Sequence, residues 1–133
     1  MGMCFGDVFW GLQGKRVLIV DDEKDILAVM KEGLQRAGFT VEICPDADRA
    51  LEDYVPGSHD LVITDIRMPG LSGLDLYQKI RSVDPDAKVI FLSAFDAMSK
   101  ELNSARSLEG AVIIQKPVGM KDLVSQVKMV FDD

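Results

Sequence analysis

The stretch Leu61-Val62-Ile63-Thr64-Asp65-Ile66-Arg67-Met68-Pro69-Gly70 is an apolar run that stops at an acid and breaks at once into proline and glycine. A continuous run of β-branched and leucine side chains bounded by turn residues predicts a strand covered on both faces, an environment found mainly in parallel sheets. Ligands of such sheets bind beyond the carboxyl ends of the strands, which is where Asp65 would stand.

Four further short strands are predicted, at residues 15–20, 39–44, 88–92 and 111–115. The segments between them have helical spacing. Ile26, Leu27, Met30, Leu34 and Ala37 form one stripe with Gly38 just past its end, and Pro45-Asp46 opens a helix with Ala47, Ala50, Leu51 and Tyr54 on its apolar side, ended by Pro56-Gly57. Ser72 and Asp75 have capping-box spacing at the head of a helix expected to turn Leu74, Tyr77 and Ile80 inward. A more polar helix is expected over 98–108, and a last one carries Leu123, Val127, Val130 and Phe131. Strands and helices that alternate in this way predict a doubly wound α/β domain, a five-stranded parallel sheet with helices on both faces.

At 133 residues the chain is long enough for one domain with a sizeable core, assigned here to 15–133. Residues 1–14, with Phe5, Phe9 and Trp10 among glycines and no periodicity, read as an N-terminal extension. A net charge of −7 argues against unaided binding to nucleic acid or an anionic membrane, and no stretch approaches the roughly 18 apolar residues of a membrane span, so a cytoplasmic location is expected. Cys4 and Cys44 stand apart from each other and from any histidine cluster, and both read as small hydrophobes. His59, the one histidine, is expected to be an exposed loop residue.

Polar residues stand at the predicted strand ends. Asp21 and Asp22 follow the first strand, Asp65 the third, Ser93 the fourth and Lys116 the fifth. Were the three carboxylates to meet, two unit charges ~4 Å apart at an effective dielectric of ~20 would repel by ~4 kcal/mol, and three such pairs by ~12 kcal/mol. That rivals a domain's whole stability of ~5–15 kcal/mol, so either a carboxyl group protonates or a hard cation sits among them. A small all-oxygen ligand set favours Mg²⁺ or Mn²⁺.

Val20-Asp21-Asp22-Glu23, Asp65-Ile66-Arg67-Met68-Pro69-Gly70, Ser93-Ala94 and Lys116-Pro117, taken together and in this order, resemble a response regulator receiver domain of two-component signalling, over about 15–131. The resemblance implies the flavodoxin-like (βα)5 receiver fold. It implies that Asp65 is the phosphoacceptor, taking a phosphoryl group from the phosphohistidine of a sensor histidine kinase or phosphotransfer protein. By the same resemblance Asp22, Asp65 and the Arg67 backbone carbonyl ligate Mg²⁺ and Asp21 acts through a water. Lys116, Ser93 and the Ala94 backbone N–H bind the phosphoryl oxygens, and a cis peptide precedes Pro117. A receiver of this kind is no enzyme beyond its own phosphorylation and dephosphorylation. Its output would run through a homodimer or an output domain on the face built from the predicted fourth helix, fifth strand and last helix. The sequence departs from the pattern at Ile113, where many receivers carry a switching Tyr or Phe, so the switch is expected to depend on Ser93 with Ile113 repacking passively.

Other readings fit less well. A receiver that serves only as a protein-binding module is opposed by the full set of acids, Ser and Lys. A haloacid-dehalogenase-type phosphatase expects a second acid where Arg67 stands. A flavodoxin-like electron carrier needs a phosphate-binding loop where the chain has Asp21, Asp22 and Glu23.

Overall fold

The structure, a computed structural model, describes residues 14–68, 70–93, 108, 111–116 and 118–131. Five strands, β1 (Arg16–Val20), β2 (Thr40–Cys44), β3 (Leu61–Asp65), β4 (Val89–Ser93) and β5 (Ala111–Gln115), form one sheet in the order β2-β1-β3-β4-β5. All four pairings are parallel. The described helices are α1 (Lys24–Arg36), α2 (Ala47–Asp53), α3 (Gly73–Val83) and α4 (Met120–Phe131). The helix expected over 98–108 lies outside the described residues, apart from Leu108.

The uninterrupted apolar runs are explained by two cores, one on each face. Alternate residues point opposite ways in a strand. Val17 and Ile19 of β1, Leu61 and Ile63 of β3 and Ile90 and Leu92 of β4 therefore meet Leu27, Met30 and Leu34 of α1 and Leu123 and Val127 of α4. Leu18, Val20, Val62, Val89 and Phe91 face the other way, onto Ala47 and Ala50 of α2 and Leu76, Tyr77 and Ile80 of α3. Each fully buried Leu, Ile or Phe contributes ~1.5–3 kcal/mol, so the sheet cannot slip by one residue without exchanging its two cores.

Helix ends follow local chemistry. After α1, the Gly38 N–H donates to the Gln35 carbonyl at 3.0 Å and the Phe39 N–H to the Leu34 carbonyl at 3.1 Å, a Schellman stop in which Gly38 takes φ 104°. Ser72 caps α3 by accepting from the Asp75 N–H at 3.1 Å, and its hydroxyl donates to Asp75 Oδ2 at 3.0 Å. The capping-box spacing is thus used, with the acid bonding the hydroxyl.

Three expectations shift. Leu76, not among the residues expected inward, is fully buried in α3 with Tyr77 and Ile80, and Leu74 packs on the same core while half-buried. Strand β4 runs one residue later than expected, which puts Ser93 inside the ladder opposite Gln115. Helix α2 stops at Asp53, before Pro56-Gly57, and Tyr54 leaves it in extended backbone to donate its hydroxyl to Asp84 Oδ2 at 2.6 Å.

Candidate functional site

The strand order reverses direction beside β1: one connection leads out to β2, the next back across to β3. A crevice forms at the carboxyl ends of the strands at such a point. Asp21 and Asp22 leave β1 there and Asp65 is the last residue of β3. One carboxylate oxygen from each of Asp21, Asp22 and Asp65 lies within 4.8 Å of the others. Asp21 is fully buried and Asp22 is exposed. The Asp21 backbone N–H donates to the Cys44 carbonyl at 3.3 Å and its Oδ1 accepts from the Glu23 N–H at 3.0 Å, which turns the side chain into the crevice.

Lys116 follows β5. Its backbone N–H bonds the Ser93 carbonyl, and its side chain reaches across the end of β4 to place Nζ 2.9 Å from Asp65 Oδ2 and 3.5 Å from Asp21 Oδ2. Ser93 itself is buried at the end of β4. Burial pushes the Asp21 carboxyl above its ordinary value. The Glu23 N–H and Lys116 oppose this, and the nearby Asp65 charge adds to it. Burial alone would lower the Lys116 ammonium, but the bond and the charge of Asp65, then those of Asp21, outweigh it and hold Lys116 above its ordinary value. Three carboxyl groups share this partly buried pocket with one ammonium. That donor set of hard oxygens fits a divalent cation.

The other expected site residues are placed as follows. Arg67 is exposed, two residues past Asp65, and Gly70 ends that turn at φ 81°. Ile113 is half-buried, in register with Phe91 and packed on the second core. Ala94 and Pro117, with the backbone N–H and cis peptide expected there, lie outside the described residues, as do Cys4 and 1–13. Cys44 is half-buried and packs on the second core.

His59 corrects an expectation. Its side chain is only 12% exposed: Nε2 lies 2.7 Å from Glu42 Oε1, Nδ1 lies 3.0 Å from Ser58 Oγ, and the ring stacks on Tyr54. Glu42 on β2 and Tyr54 after α2 enclose it, partners that no local pattern announces. Two residues passed over in the sequence touch Asp65 directly. Thr64, fully buried, donates its hydroxyl to the Asp65 carbonyl at 3.0 Å, and Gly73 packs against the same carbonyl. A glycine at the start of a helix was the available signal for the second.

The family model for the response regulator receiver domain matches residues 17–128. The chain belongs to that family. This receiver domain is 32% identical over 118 residues to the transcriptional regulatory protein PrrA of Mycobacterium tuberculosis, covering 89% of the chain and 50% of PrrA. It thus spans about half the length of such relatives. The response regulator receiver protein CpdR of Brucella abortus is 29% identical over 114 residues, 86% of this chain and 94% of CpdR. Among solved structures, the non-phosphorylated HemR receiver domain of Leptospira biflexa superposes with a TM-score of 0.82 at 29% identity, covering 90% of this receiver and 95% of HemR's. The response regulator TrrA of Thermotoga maritima, solved in complex with Mg²⁺-BeF, superposes with a TM-score of 0.73 at 37% identity, covering 87% and 98%.

Proposed function

We propose that this receiver accepts a phosphoryl group on Asp65 from the phosphohistidine of a sensor histidine kinase or phosphotransfer protein and changes conformation to control an output. The observation that carries the reading is the meeting of Asp21, Asp22 and Asp65 within 4.8 Å, with the Lys116 ammonium 2.9 Å from Asp65. A carboxylate oxygen of Asp65 attacks phosphorus, the P–N bond breaks with its electron pair left on the imidazole, and an acyl phosphate forms. Such transfers need positioning and charge neutralisation more than covalent assistance.

Lys116 holds the attacking carboxylate and then bonds phosphoryl oxygens, and the Ser93 hydroxyl donates to another, with the Ala94 N–H beside it. Asp22, Asp65 and the Arg67 carbonyl would hold Mg²⁺ directly and Asp21 through a water. When bound, the ion neutralises charge on the phosphoryl oxygens. Each charge-assisted bond gained only in the switched state is worth ~1.5–3 kcal/mol, so contacts to Ser93 and Lys116 together approach the ~5.5 kcal/mol needed to move an equilibrium from about 1:99 to 99:1. Ile113, packed beside Phe91, follows passively.

The protein acts on itself and turns over no separate substrate. Its place is the cytoplasm, where kinase phosphohistidines are presented, and no described helix is long and apolar enough to cross a membrane. The output runs through a homodimer or an attached domain on the face that includes β5 and α4, a reading compatible with a relative, PrrA, that is a transcriptional regulatory protein of which this chain covers half. Labelling with acetyl phosphate tests the reading: wild type takes up label in Mg²⁺ and not in chelator, and Asp65→Asn takes up none. Label retained by Asp65→Asn would place the acceptor elsewhere.

A further inference from the structure

The backbone of Asp65 is held more closely than its role as the end of a strand requires. Gly73 opens α3 and is buried. A Cβ built on it would overlap the Asp65 carbonyl oxygen and lie 3.0 Å from both the Asp65 carbonyl carbon and the Ile66 Cα. All three are main-chain atoms and cannot swing aside as the end of a long side chain can.

Gly73 is not among the described glycines with positive φ, which are Gly14, Gly38, Gly57 and Gly70. Its backbone is one that alanine adopts, and alanine is the better helix former. What the position uses is the missing Cβ, which lets the first turn of α3 sit flush on the 65–66 peptide.

Two hydrogen bonds hold that peptide and a third holds the next one. The Gly73 N–H donates to the Ile66 carbonyl at 2.8 Å, the Ile66 N–H donates to the Leu92 carbonyl of β4 at 3.1 Å, and the buried Thr64 hydroxyl donates to the Asp65 carbonyl at 3.0 Å.

We propose that Gly73 and Thr64 are positioning residues for phosphoryl transfer: by clamping the Asp65 main chain they set where its carboxylate stands relative to Lys116 and the incoming phosphorus. The inference rests on Asp65 being the phosphoacceptor. A side chain at 73 must push α3 or the 65–66 peptide away. A displacement of ~1 Å at a reacting group costs about a hundredfold in rate.

The chain supplies its own control. The three atoms nearest to a Cβ on Gly33, in the middle of α1, all belong to the flexible Met120 side chain, whose terminal methyl makes the closest approach and can rotate away. The same substitution at the two glycines therefore separates the presence of a methyl from its effect on Asp65.

The test is the rate of acyl phosphate formation from acetyl phosphate in Mg²⁺, with each variant shown to be folded by circular dichroism. Gly33→Ala is expected to label at the wild-type rate and Gly73→Ala at least about tenfold more slowly. Thr64→Val, which keeps shape and loses the hydroxyl, is expected to slow labelling several-fold, and Thr64→Ser to restore it. Should Gly73→Ala fail to fold, the Thr64 pair decides alone. A folded Gly73→Ala that labels as fast as wild type overturns the inference, and so does a Thr64→Val that labels normally or a Thr64→Ser as slow as Thr64→Val. An unlabelled wild type overturns the phosphoacceptor reading itself, and the positioning role falls with it.

Discussion

The Lys116 ammonium, carried at the end of β5, sits 2.9 Å from Asp65 Oδ2 at the end of β3, so a single bond spans the intervening strand β4. Replacing it by Met keeps the length of the stem and removes the charge. Without metal, Lys116→Met is expected to lose ~2 kcal/mol of stability, because the buried Asp21 and half-buried Asp65 lose a cationic partner. With ~10 mM Mg²⁺ most of that loss should disappear, since a bound cation stabilises the folded state by mass action. Urea unfolding in chelator and in Mg²⁺ measures both. An equal loss in the two conditions would mean that a cation in the acidic pocket does not take over the role of the Lys116 ammonium.

Wild type should itself respond to the ion. If ~10 mM Mg²⁺ is about ten times the dissociation constant, the gain is ~1.4 kcal/mol, or about 5 °C in melting temperature for a domain of this size. Thermal unfolding in chelator and in Mg²⁺ reads this shift, and an unchanged midpoint rules out the cation site.

The raised Asp21 carboxyl carries a pH signature. A carboxyl raised in the folded state binds its proton more tightly there than in the unfolded chain. Its stabilising contribution is complete below the ordinary value of 3.8 and is lost as pH rises through the higher folded value. In metal-free protein, Asp21→Asn should therefore gain stability over wild type progressively as pH climbs above about 4. Unfolding free energies measured from pH 4 to 7 test this. A gap that stays constant with pH would show that Asp21 does not titrate in that range.

At the opposite end of the sheet the sign reverses. The Tyr54 hydroxyl and the Gly57 N–H both donate to Asp84 Oδ2, at 2.6 and 3.1 Å, and hold the Asp84 carboxyl below its ordinary value. Stability from a lowered carboxyl is present above the ordinary value of 3.8 and lost as pH falls through the folded value. Tyr54→Phe should cost about 1 kcal/mol at pH 7 and progressively less as Asp84 protonates below about pH 4. Chemical denaturation at neutral and acid pH gives both numbers, and an undiminished cost in acid would show that the hydroxyl contributes independently of the Asp84 charge.

What could be read from the residues alone was whatever depends on near neighbours. Runs such as Leu61-Val62-Ile63, short, β-branched and bounded by turn residues, predict strands buried on both faces and with them a parallel sheet between helix layers. Punctuation by Gly38, Ser72 and Pro69-Gly70 marks where elements stop and start. The acids, Ser93 and Lys116 were legible as strand-end residues because apolar runs terminate at them. The tertiary structure decided which of those ends meet, because their separation is set by strand order and register. Lys116 is 51 residues from Asp65 and bonds it only because β3, β4 and β5 are consecutive in the sheet. Adjacent Asp21 and Asp22 look equivalent in the chain, yet one is fully buried and the other exposed, since the first still lies against β2 through Cys44. The burial of Leu76, the enclosure of His59 by Glu42 and Tyr54, and the contact of Gly73 with the Asp65 carbonyl were likewise settled by packing. Hydrophobic periodicity is a property of neighbouring residues, whereas burial of a charge or the absence of a Cβ has meaning only against the element it touches.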